Sequence, residues 1–206
     1  MTRLYGLELE GFYNKDGKIV APPSKSDVPV DGFAGLLELR SIVSADIFEC
    51  WGDIASKKLA LEYQEGITFD QSPEHHFTVE QLQEIRRNKN SPNKDRECFI
   101  RNIYGKKPRL LRSGHALASL QISFSEKTRA GYTRNFTVGT DIRSVAIPDS
   151  FGLLDTYSTV KALDEAFAAD ITSSARQKGF YAIKDGIRLE YRSLPAYSFN
   201  QNFAKK

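Results

Sequence analysis

The chain has 206 residues, 40% hydrophobic and 27% charged, the balance of a folded protein with a proper core and not of a disordered one. No apolar run approaches the roughly 18 residues a membrane helix needs, and the opening Met1-Thr2-Arg3-Leu4-Tyr5-Gly6 lacks the apolar stretch of a secretory signal. Net charge is only +3, but residues 1–85 carry −8, residues 86–113 carry +8 and residues 114–206 carry +3, an asymmetry that bears on partners and not on fold.

Leu4 to Tyr13 alternates as a strand should, with Tyr5, Leu7 and Leu9 on one face and Glu8 and Glu10 on the other. Asn14-Lys15-Asp16-Gly17 is a hairpin turn signal, and Lys18 to Ala21 is the expected return strand. A helix capped by Asp31 and carrying Phe33, Leu36, Leu37 and Val43 is expected next. A second begins near Asp46, with Glu49 as its capping-box partner and Ile47, Trp51, Ile54 and Leu61 on its apolar side. Thr78-Val79-Glu80-Gln81 is a third helix start, with Phe77 placed to staple onto Leu82. Arg86 and Arg87 fall in its last turn, where cations suit the helix dipole.

Residues 88–113 are punctuated by Asn, Pro and Gly, with a short strand expected at Phe99-Ile100 and Ile103-Tyr104. Leu120 to Phe124, Tyr132 to Val138 and Arg143 to Ile147 form a meander with one wet face. A long helix follows over about 158–178, its stripe being Val160, Leu163, Phe167, Ile171 and Ser174, with Gly179 as the residue that ends it. Phe180 to Ile183 and Ile187 to Tyr191 flank Asp185-Gly186, a second hairpin signal.

The expected fold is therefore α+β. An antiparallel sheet in the C-terminal half packs against a long helix, with a helical layer from the N-terminal half. The chain is read as one globular domain over 1–206, with subdomains at 1–87 and 114–206 joined by the basic segment 88–113.

That basic segment is the leading functional clue. Arg86, Arg87, Lys89, Lys94, Arg96, Arg101, Lys106, Lys107, Arg109 and Arg112 can line a phosphate backbone while Phe99 and Tyr104 stack on bases. Arg129, Tyr132 and Arg134 join that surface if the meander packs beside it. The bland alternative is a solvated loop that balances the acidic first third. The expectation is a non-enzymatic nucleic-acid-binding protein, DNA or RNA unspecified. A protein-interaction or assembly subunit docking an acidic partner is the alternative, favoured if Tyr197, Phe199 and Phe203 form an exposed apolar tail. A metal-independent ribonuclease centred on His115 is a further one, with Arg109 and Arg112 lowering its basicity and Tyr132 or Lys107 as proton donors.

Neither a metal nor another cofactor is expected. Cys50, His75, His76, Cys98 and His115 never fall at paired ligand spacings, and no Walker A, G-x-G-x-x-G or G-x-S-x-G sequence occurs. Lys178-Gly179-Phe180-Tyr181-Ala182-Ile183 has the wrong order for an RNA-recognition strand motif. Both cysteines are read as thiols of a reducing compartment, so the expected location is cytoplasmic and no membrane partner is expected.

Overall fold

The computed structural model describes residues 2–23, 30, 35–72, 74–80, 101–106, 115–117, 119–127, 156–172, 177–184, 188–196 and 199. Its centre is strand β1 (Thr2–Lys15), long enough to pair along both edges. Leu9 faces Leu39 and Leu120, and Phe12 faces Leu36 and Asp70. One residue can have two such partners only if they lie on opposite sides, so β3 (Leu36–Arg40) flanks one edge of β1. β8 (Ser119–Lys127) and β4 (Thr68–Asp70) share the other.

From β8 the sheet continues through β10 (Arg188–Pro195) and β9 (Phe180–Lys184) to the two-residue β6 (Arg101–Asn102). All these pairings are antiparallel. The expected α+β class is found, and the sheet takes its central strand from the N-terminal end. The expected hairpins are present at both ends of the chain. Asp16 and Gly17, both with positive φ, link β1 to β2 (Lys18–Ile19), as a two-residue hairpin of the right-handed twist requires. β9 and β10 pair as the second hairpin. The expected strands over 132–138 and 143–147, and the Asp185-Gly186 turn, lie outside the described residues.

Residues 36–43 are not helical. Leu36–Arg40 is a strand, and Ser41, Ile42 and Val43 have no regular structure. Leu-Leu-Glu-Leu-Arg fits either period. Pairing with β1 decides it, by setting Leu37 and Leu39 in the core and Glu38 and Arg40 on the other face. The following helix α1 (Ile47–Glu65) starts as expected, with the Asp46 side chain accepting from Phe48 N at 2.8 Å. Glu49, however, takes its hydrogen bond from the Ser44 hydroxyl, and Ser44 Oγ accepts from Asp46 N at 3.0 Å. The box is closed through Ser44. Val79 and Glu80 begin a helix where Thr78 predicts one, while Gln81 and Leu82 lie outside the described residues.

The long helix is realised as α2 (Thr156–Ala166) and α3 (Ala168–Thr172), with Phe167 between them. Helical hydrogen bonds run through the junction, Phe167 N to Leu163 O at 3.0 Å and Ile171 N to Phe167 O at 3.1 Å. The apolar spacing survives: Val160, Phe167 and Ile171 are buried and Leu163 packs partly against them. Ser174 lies outside the described residues.

Alternation along β1 assigns the two faces. Leu7, Leu9 and Tyr13 share a face with Leu37, Leu39, Leu120, Leu189 and Tyr191. Helix α1 covers that face through Cys50, Ile54 and Leu61, and the α2–α3 pair covers it further along. Gly11 lies on it beneath Phe69, where an added Cβ would stand 2.3 Å from the ring. β10 would lose phase at Tyr191-Arg192-Ser193-Leu194. A bulge corrects this, setting Leu194 opposite Leu120.

The opposite face buries Phe12 and Leu36 at one end and is charged along the rest, without being simply wet. Glu10, Glu38 and Glu190 are buried there. A buried carboxylate needs a partner, and Arg40 supplies one, 2.5 Å from Glu38 and 3.6 Å from Glu8. Arg192 pairs with Glu190. Phe199 is also buried, its ring 5.3 Å from Trp51, so it is not part of an exposed tail; Tyr197 and Phe203 lie outside the described residues.

Phe167→Ala should cost about 3–5 kcal/mol in a denaturant melt by opening a cavity beneath the sheet. Gly11→Ala should destabilise as well, because the Phe69 ring must leave its place.

Candidate functional site

Three of the residues predicted to contact nucleic acid, Arg101, Tyr104 and Lys106, fall in one described stretch, at the β9 edge of the sheet. Arg101 pairs with Tyr181, and Asn102 with Phe180. The strand is two residues long, and Ile103-Tyr104 forms a turn where strand was expected; Phe99 and Ile100 lie outside the described residues. Asn102 explains the turn. Its side-chain oxygen accepts from Tyr104 N at 2.8 Å and Lys106 N at 3.3 Å, and its amide donates to Lys178 O at 2.8 Å. The backbone adds Ile103 N to Gly179 O at 3.0 Å and Gly105 N to Asn102 O at 3.1 Å. One asparagine thus folds 102–106 back on itself and fastens it to the chain entering β9.

The Tyr104 ring lies against Gly179, where a Cβ would come within 2.6 Å of it. Gly179 has φ +86 and its N–H donates to Asp164 Oδ1 at 3.0 Å. The sequence assigns this glycine to ending a helix. In the structure the described helix α3 ends at Thr172, and Gly179 lies in the turn before β9, where it makes room for an aromatic ring brought from more than seventy residues away.

Asp164 is the buried member of this cluster. Tyr191 donates to the same Oδ1 at 2.7 Å, and Oδ2 is buried with no hydrogen bond within normal distance. Burial first, and then Asp164, push the Tyr191 hydroxyl far above its ordinary value. Burial and then the influence of Asp164 also raise Tyr104. Both phenols therefore stay protonated at neutral pH and serve as donors, not as bases. Tyr104 is 44% exposed, with Lys106 exposed two residues on. Tyr157, itself half exposed, lies close enough to Tyr104 to influence its titration.

The remaining predicted contacts, Arg86, Arg87, Lys89, Lys94, Arg96, Lys107, Arg109, Arg112, Arg129, Tyr132 and Arg134, lie outside the described residues. What the sequence did not show is Asn102, Asp164 and Gly179 converging under Tyr104. Their hydrogen bonds join positions 76 and 15 residues apart, and no local pattern marks such a meeting.

The histidines gather on a separate two-stranded ribbon of β5 (Glu74–His76) and β7 (His115–Leu117), with His76 opposite His115. The sequence places no second histidine near His115, and the strand register does. His75 packs between Phe12, at 5.5 Å between ring centres, and Phe77, at 4.7 Å. Burial lowers its pKa below the ordinary 6.5, against the nearby Asp70 charge, which raises it. Burial acts to raise the Asp70 carboxyl itself, but Ser72 Oγ at 2.5 Å, Ser72 N at 2.8 Å and Asn14 Nδ2 at 3.4 Å hold it below its usual value. Among the described residues no three His, Cys, Asp or Glu side chains form a group able to hold a metal ion. No described helix is long and apolar enough to cross a membrane.

Compared with known protein families, curated proteins and solved structures, the chain finds no match. The site has to be read from its own geometry.

Two outcomes follow. Asp164→Ala should cost on the order of 1–3 kcal/mol for each donor it strands, the Tyr191 hydroxyl and the Gly179 N–H, measured by chemical denaturation. For His75, a folded pKa below the unfolded one means the unfolded chain binds more protons. The stability it contributes is complete above about 6.5 and declines as pH falls below that toward the folded value. His75→Phe should flatten the acid side of a thermal-melt profile while keeping the ring contacts.

Proposed function

We propose that the protein binds nucleic acid without chemistry on it, through the basic segment 86–113. The observation that carries this reading is Tyr104. It is an exposed ring seated on Gly179, between Arg101 at the sheet edge and the exposed Lys106, inside a segment of net charge +8. A ring held in place loses little freedom when a base stacks on it, and cations beside it meet the phosphates. Single-stranded nucleic acid is the form such a ledge suits, because its bases are free to stack.

Docking of an acidic protein surface on the same cations is the alternative. It loses one support, since Phe199 is buried in the core. A ribonuclease reading gains one support from the facing positions of His76 and His115. A cytoplasmic setting belongs to the leading reading, in keeping with Cys50 as a buried free thiol.

Gel shifts with single- and double-stranded probes at two salt concentrations test it. Affinity should fall steeply with salt, as counterions return to the phosphates. Tyr104→Leu should weaken single-strand binding by about 1–3 kcal/mol with little change in salt slope, the mark of lost stacking. Lys106→Glu should instead lower the slope. Charge reversal at Arg86, Arg87, Lys106 and Lys107 together should abolish binding while the thermal melt holds; retained binding overturns the proposal. Probe cleavage in excess chelator that disappears in His115→Ala would favour the nuclease.

A further inference from the structure

Helix α1 has two apolar stripes, and the described residues bury one. Cys50, Ile54 and Leu61 face the sheet and are buried. On the far side Phe48, Gly52, Leu59 and Tyr63 recur at steps of four, seven and four, which keeps them on one helix face, with Ala55 at its border packed partly against the core. Phe48 is 58% exposed, Leu59 66% and Tyr63 90%. The stripe contains no charge. Asp53–Lys57 at 2.7 Å and Lys58–Glu62 at 2.9 Å lie outside it and are paired within the helix, so covering the stripe strands no ion.

Gly52 is the second observation. Glycine weakens the interior of a helix, and this one stands within a helix of nineteen residues. A Cβ built on it meets nothing within 4 Å, so no contact among the described residues asks for glycine. Its open surface suits a close approach from outside.

We propose that this stripe is the seam of a homodimer in which two copies of α1 pack antiparallel about a two-fold axis at the level of Ala55 and Ser56. The spacing singles out a second copy as the occupant. Phe48 and Tyr63 stand equally far from that level, and so do Gly52 and Leu59. Antiparallel superposition therefore lays Leu59 over the partner's Gly52 and Phe48 beside the partner's Tyr63, each contact made twice, as a self-complementary interface demands. The antiparallel arrangement also opposes the two helix dipoles. Tyr63 keeps its hydroxyl at the wet rim, a position that suits an amphipathic ring. Helix α1 packs against β1, β3 and β4, while β6 closes the other end of the sheet, so the dimer does not depend on the nucleic-acid reading.

Sedimentation velocity of the full chain over a range of concentrations is the test. The wild type should show a monomer–dimer equilibrium, and Leu59→Glu and Gly52→Leu should be monomers with an unaltered circular dichroism spectrum. Gly52→Ala guards against a folding artefact. It should raise the melting temperature of the monomer, since alanine favours helix and has room, yet weaken the dimer. Ala55→Cys in a Cys98→Ala background should form a disulfide-linked dimer on mild oxidation. A wild type that stays monomeric, or a dimer that survives both Leu59→Glu and Gly52→Leu, overturns the proposal.

Discussion

Everything in this structure hangs on β1 having partners along both edges. The pleat sends the side chains of a strand alternately to the two faces of the sheet, and pairing along both edges fixes which residues face which layer. Leu7, Leu9 and Tyr13 enter the layer beneath the helices, and Glu8 and Glu10 enter the charged layer opposite. A slip of one residue would drive carboxylates under α1 and leucines among the arginines. The neighbours confirm the register, with Leu9 between Leu39 and Leu120 and Glu10 opposite Glu38. The Tyr13 hydroxyl, 3.0 Å from Glu65, ties the end of α1 to the same strand, and burial followed by that carboxylate raises its pKa to about 12.

The candidate site sits at the other side of the sheet and inherits its rigidity. β6 is only two residues long, too short to hold itself. Asn102, Gly179 and Asp164 turn that short contact into a fixed ledge: Asn102 is bound to Lys178 just ahead of β9, Gly179 to Asp164 in α2, and Asp164 in turn to Tyr191 in β10. A buried aspartate that accepts from both a tyrosine and a backbone amide is costly to rearrange. Tyr104 rests on that arrangement, which is why a partly exposed ring can keep one orientation.

Much of the fold was legible because it is written locally. Alternation in Leu4–Tyr13, the Asp16-Gly17 turn, the Asp46 cap and the 160–163–167–171 spacing each declare themselves within a dozen residues. Leu36–Arg40 was misread because five residues satisfy two periods, and the choice between them is made by a strand thirty residues away. The bulge at Arg192 and Ser193 is of the same kind, serving a phase set by Leu120. For the site, charge and aromatic content drew attention to Arg101, Tyr104 and Lys106. The groups that orient them could not be found that way. An asparagine, a glycine and an aspartate are common residues, and only folding brings them together. His76 and His115 are a similar case, separated in sequence and facing one another through ribbon pairing.

The pairing of β1 with β8 also sets a timetable. The central strand precedes its sheet partners in the chain, and the partner for one of its edges is more than a hundred residues behind it. β2, β3 and β4 can join β1 early, since all are made within the first seventy residues. Until Ser119–Lys127 emerges, the stretch Thr2–Leu9 has no strand on its β8 side. Contacts of such long sequence separation form slowly, because the intervening chain must first be closed into a loop. During synthesis at some 5–20 residues per second, that bare edge stands open for several seconds as a template for other chains.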